Sequence, residues 1–150
     1  MHDSKVVANR FLELARDAND TLTPMQLLKL VYIAHGWMLG LHGRPLIRDD
    51  VQAWQYGPVI PRLYNAVRTF RHHPVTGRIG HSNEQLSAAE NSIIEQTYKM
   101  YGKYSGPALS RITHAMGTPW SATYKPGAFG VPISNDLIED HYQRLAQRSQ

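Results

Sequence analysis

The stretch Thr23-Pro24-Met25-Gln26-Leu27-Leu28-Lys29-Leu30-Val31-Tyr32-Ile33-Ala34-His35-Gly36-Trp37-Met38-Leu39-Gly40-Leu41 leaves this chain few ways to fold. Thr23 can accept a hydrogen bond as N-cap, and Pro24 suits the first helical position, where a missing amide hydrogen costs nothing. Leu27, Val31, Ala34, Met38 and Leu41 share one helical face, Leu30, Ile33 and Trp37 a second, and Leu28, Tyr32 and Leu39 a third. A helix that is apolar nearly all round is either a buried central helix or a membrane span. Gln26, Lys29 and His35 interrupt the run well short of the roughly 20 apolar residues a span needs, so the segment is expected to be the core helix of a soluble domain.

Elements follow on both sides of it. Val7, Phe11, Leu14 and Ala18 form one stripe of an amphipathic helix over Ser4 to Ala18, and His42-Gly43-Arg44-Pro45 stops the central helix. Leu46 to Tyr56 carries β-branched and aromatic residues in alternation and predicts a short extended segment, which Gly57-Pro58 ends by fixing a turn. Pro61 opens a helix with Leu63, Tyr64, Val67 and Phe70 as its buried stripe, and Val75 to His81 predicts a loop or small hairpin. Ser87-Ala88-Ala89-Glu90 is a capping box for a helix running to Tyr101, with Gly102 as its C-cap. Ser105-Gly106-Pro107 starts another helix, with Leu109, Ile112, Thr113 and Met116 at helical spacing. Thr118-Pro119-Trp120 repeats the cap-plus-proline device, and Ser134 caps a last helix. The expected fold is mainly α, with two or three short strands at most, and residues 1–150 read as one domain.

Composition narrows the function classes. With 42% hydrophobic and 19% charged residues the chain is of ordinary globular type, and without cysteine it has neither disulfides nor thiolate chemistry. Nothing at the N-terminus resembles a secretory signal, which suits the cytoplasm. The net charge of +4 is unevenly spread: from Val51 to Asn83 there is no Asp or Glu, whereas Arg62, Arg68, Arg71 and Arg78 all fall there with His72, His73 and His81. Such a run fits an acidic protein surface or phosphate, or else a solvated helix face. A nucleic-acid-binding regulator using Arg62 to Arg78 is the alternative function. Against it, no helix-turn-helix with a basic recognition helix stands out, and the cations lack interleaved aromatics.

Catalytic and metal chemistry find little footing. His72 and His73 are adjacent and so expected to point in different directions, with no carboxylate nearby in sequence to complete a site with His81. Ser110 and His114, four apart on one helix face, are a weak serine–histidine pair without a Gly-x-Ser-x-Gly elbow. His35, inside an apolar helix, reads as a satisfied core histidine. No phosphate-cradling glycine loop occurs, so neither an enzyme nor a cofactor is expected. Trp54, Tyr56 and Trp120 lie beside proline-containing turns, where aromatics serve as core packing or as interface anchors.

Three blocks carry a resemblance: Lys29 to Trp37, Asp50 to Tyr64 with its Ala-Trp-Gln-Tyr-Gly-Pro-Val string, and Leu109 to His114 followed by Pro119-Trp120. In order and spacing the chain resembles the Panacea-domain antitoxins, also described as SocA-like or phage-associated proteins. The resemblance implies a helical domain that binds and neutralises a protein toxin encoded by a neighbouring gene, in some members with a role as adaptor to a Clp-type protease. It implies no catalytic residues. The motif positions here are Lys29, Tyr32, Trp37, Gly57, Pro58, Tyr64, Thr113 and Pro119, expected to specify the scaffold. Trp54, Tyr56, Arg62, Arg68, Arg71, Arg78, His114 and Trp120 are the candidate partner-binding residues, and self-association is left open.

Overall fold

The computed structural model describes residues 1–148. Thr23 accepts from the Gln26 amide while the Gln26 side chain accepts from the Thr23 amide, and this capping box starts the central helix α2 (Pro24–His42). Gly43, at φ 68°, ends it in the left-handed conformation that glycine adopts most readily. Leu27, Leu30, Val31, Ile33, Ala34 and Met38 are fully buried. Trp37 is only half-buried, and Met25 and Leu41 are exposed, so the ends of α2 are less enclosed than the all-round apolar pattern predicts.

Around α2 lie α1 (Ser4–Asp17), α3 (Pro61–Val67), α4 (Ala88–Tyr101), α5 (Gly106–His114), the short α6 (Pro119–Thr123) and α7 (Asn135–Arg148). Three short antiparallel strands, β1 (Gln52–Trp54), β2 (Gly57–Val59) and β3 (Val131–Pro132), form a small sheet in the order β2-β1-β3. The fold is therefore mainly α. Ser87 and Glu90 form the expected capping box, and Ser105, Thr118 and Ser134 each accept from an amide of the helix they precede.

Several expectations are corrected. Gly57-Pro58 is not the turn: Trp54 pairs with Gly57 and Ala53 with Pro58, so the hairpin reverses at Gln55-Tyr56. Gly57 supplies the positive φ of 125° just after it, a conformation costly for any side chain. The α5 helix ends at His114, before Met116 of the expected stripe; Leu109 and Thr113 are buried, whereas Ile112, on the helix, and Met116, beyond it, are exposed. Of the two forms expected for residues 75–81, the loop is the one found, and Asn9 brackets it by donating to the Ile79 carbonyl and accepting from the Ile79 amide, both at 2.8 Å.

Two devices hold α7 on the central helix. A Cβ on Gly36 would lie 2.2 Å from the Tyr142 ring, and one on Gly40 2.7 Å from the Tyr142 Cβ, so both glycines make room for Tyr142 of α7. Trp37 meets Tyr142 edge-on at 5.1 Å. His35 supplies the second. Its Nδ1 accepts from the amides of Leu46 and Ile47 at 3.2 and 3.3 Å, so Nε2 carries the proton and donates to Asn135 Oδ1 at 3.0 Å. Burial pushes its pKa down to about 4. His35 is thus a neutral core histidine tying three segments together.

Candidate functional site

The hairpin β1–β2 is held by its main chain. Lys29 Nζ, from α2, donates to the Pro58 carbonyl at 2.8 Å; Ser110 Oγ, from α5, donates to the Tyr56 carbonyl at 2.9 Å; Trp120 Nε1, from α6, donates to the Trp54 carbonyl at 2.6 Å. Three donors from three helices thus take alternate carbonyls along one short run of chain. Gly57 is the close neighbour of this clasp, since a Cβ there would approach Lys29 Nζ to 2.9 Å. His114 contributes from behind, 3.3 Å from Ser110 Oγ through Nδ1 and edge-on to the Trp120 ring. The Ser110 proton is directed at a backbone oxygen, so the pair is arranged as a support rather than as nucleophile and base. Thr113, also on α5, donates to the Leu109 carbonyl at 3.0 Å, satisfying a helix carbonyl as its position predicts.

On the outer side of the hairpin lies a groove of about 700 Å³. Met25, Leu28 and Lys29 form part of its floor side; Trp54, Tyr56 and Tyr64 come from the hairpin and α3; Arg68 and Arg71 from the 3-10 turn after α3; and Tyr124 and Phe129 from the segment before β3. Trp54 organises the aromatics, meeting Tyr64 edge-on and Phe129 at a tilt, each at 5.2 Å, while its own Nε1 donates to Gln52 Oε1. Tyr56 is 72% and Phe129 81% exposed. Large apolar rings left this open beside a concave surface are what a binding site offers.

Electrostatics sharpen the picture. Burial pushes the Lys29 amine down to about 8, and no carboxylate pairs with it among the described residues. Arg71 sits at φ 56°, ψ −114°, where a side chain is strained by an amount on the order of 1 to 3 kcal/mol.

The structure divides the candidate residues. Trp54, Tyr56, Arg68 and Arg71 line the groove, joined by the motif residues Lys29 and Tyr64. His114 and Trp120 stand behind the hairpin as supports. Arg62 instead donates to Asp3 at 2.8 Å near the start of α1, and Arg78 donates to the Ser82 carbonyl and borders a different hollow, with Glu13 and Glu84. The basic run is therefore not one continuous surface: Arg68 and Arg71 line the groove, whereas Arg62 is paired with Asp3 and Arg78 is bonded to the Ser82 carbonyl in a different hollow. His72 and His73 do not diverge as expected; their rings lie 4.4 Å apart. Sequence reasoning missed Phe129, Tyr124 and Met25, which only the folded chain brings to the groove.

A family model for the SocA-like antitoxins with a Panacea domain matches residues 27–121. The chain belongs to this family. The matched region of this Panacea-domain protein runs from the first turns of α2 to α6 and so contains the hairpin and all three of its donors. Phe129 and α7 lie beyond it. Antitoxin SocA of Caulobacter vibrioides (strain NA1000 / CB15N) is 28% identical over 155 residues, covering 94% of this chain and 82% of that protein. No solved structure matches. No helix of the Panacea-domain fold described here is long and apolar enough to cross a membrane.

Proposed function

We propose that this protein neutralises a protein toxin by binding it directly, without chemistry of its own, and that the groove beside the β1–β2 hairpin is the contact surface. The observation that carries the reading is the coincidence of two things. The clasped hairpin lies inside the region matched by an antitoxin family, and it presents exposed Tyr56, with Phe129, over a concave aromatic surface. Aromatic anchors around a pocket are the usual energetic centre of a protein interface. SocA of Caulobacter vibrioides is, by its name, an antitoxin.

The test is co-expression with the neighbouring gene. The unaltered protein should restore growth, whereas the double variant Tyr56→Ala with Phe129→Ala, folded as judged by circular dichroism, should not. A harmless neighbour removes the antitoxin reading, and full rescue by the double variant removes the groove from it.

A further inference from the structure

Resting on the groove as the contact surface, we propose that its occupant is an acidic segment of the partner, with carboxylates beside apolar residues, and that Arg68 and Arg71 receive those carboxylates. The groove lining contains three cations, Lys29, Arg68 and Arg71, and no Asp or Glu. Four arginines elsewhere are answered by carboxylates of this chain, Arg10 by Glu95, Arg48 by Glu84, Arg62 by Asp3 and Arg144 by Asp140; what sets Arg68 and Arg71 apart from the other unpaired arginines is that they line an aromatic groove with no carboxylate in it. Neither Arg68 nor Arg71 has an ion pair or a side-chain hydrogen bond among the described residues. Their guanidinium groups are the parts of the groove free to grip a planar carboxylate with two parallel hydrogen bonds.

The backbone of Arg71 is an independent observation. At φ 56°, ψ −114° glycine would be relaxed and arginine is not. The other non-glycine residue at positive φ, Asn19, has φ 59° and is of a type that visits this region readily. The Arg71 amide closes the 3-10 turn on the Arg68 carbonyl at 3.1 Å, while its side chain, without a hydrogen bond or ion pair among the described residues, borders the groove. A single-stranded nucleic acid is also anionic and stacks on aromatics, but it needs a track of cations along successive phosphates. Here two free arginines sit at one wall, and the next basic residue back along the chain, Arg62, is already bound to Asp3.

The experiment uses short peptides titrated against the full-length protein, followed by tryptophan fluorescence from Trp54 at the groove. One alternates phenylalanine and glutamate; its control replaces each glutamate with glutamine. The glutamate peptide should bind about tenfold more tightly than the control, and Arg71→Gly should remove about that factor. The same Arg71→Gly should raise the melting temperature, because it releases backbone strain; a merely structural arginine would lower it. Equal binding of the two peptides, unchanged affinity in Arg71→Gly, or tighter binding of a fifteen-nucleotide oligo-dT than of the glutamate peptide overturns the proposal. The two readings separate cleanly. Glutamate-dependent binding upholds the acidic preference even when toxicity relief ignores Tyr56 and Phe129. Glutamate-independent binding defeats it even when relief depends on both rings.

Discussion

The indole nitrogen of Trp120 donates to the main-chain carbonyl of Trp54 at 2.6 Å, across 66 residues of chain. The same ring stacks on Tyr124 at 4.8 Å with an interplanar angle of 12°. Trp120→Phe keeps most of the ring contact and removes the donor, leaving the Trp54 carbonyl without its partner. It should lower stability by about 1 to 3 kcal/mol, measured by urea unfolding. A change too small to resolve would show that the carbonyl does not depend on this bond.

Gly36→Ala tests the seat of α7. The added methyl would overlap the Tyr142 ring, so the variant should lose about 1 to 3 kcal/mol or more. Pairing it with Tyr142→Leu should cost less than the sum of the single changes, since the smaller side chain removes the clash. Strict additivity in a thermal-denaturation cycle would contradict the packing described.

Acid sensitivity should come in part from His35. Its folded pKa is about 4, whereas an unfolded histidine titrates near 6.5. Between these values the unfolded chain binds more protons, so this contribution is intact above about 6.5 and is lost as the pH falls toward 4, by roughly 3 kcal/mol. Unfolding midpoints from pH 7 to 4.5 for the unaltered protein and for His35→Gln provide the measurement. The variant, although less stable at pH 7, should show a shallower slope.

Lys29 gives the opposite limb. Its folded pKa of about 8 lies below the ordinary lysine value of 10.5, so stability should rise as the pH climbs from about 8 to 10. Above 10 the trend should reverse, because burial raises the hydroxyl pKa of Tyr32 and Tyr142 while the same tyrosines ionise in the unfolded chain. Comparing Lys29→Met at pH 7.5 and 9.5 is the check: the rise should flatten in the variant, and an undiminished rise would assign it to another group.

Local chemistry wrote much of this fold in readable form. Thr23 with Pro24, Ser87 with Glu90, and Thr118 with Pro119 mark helix starts because capping is settled within three or four residues. The hairpin was misplaced for a physical reason. Gln55 and Tyr56 carry no turn signature, and Gly57-Pro58 does, yet the turn is stabilised from outside by Ser110 and Lys29, at separations of 54 and 29 residues. Lys29 is legible as a family position but not as a buried amine, since no single-chain pattern announces which lysine will find a carbonyl. The groove is the least legible part. Its aromatics come from residues 54 to 64 and 124 to 129, and the basic run that pointed toward it proved to be split, with Arg62 and Arg78 turned to Asp3 and Ser82.

The hairpin clasp grips only main-chain oxygens, which every amino acid possesses. Lys29, Ser110 and Trp120 are therefore indifferent to the side chain carried by the exposed Gln55 at the tip. Mutational drift at that position can re-letter the rim of the groove while the loop stays anchored in place. The hairpin is in this sense a socket whose fittings can be exchanged without rebuilding the wall.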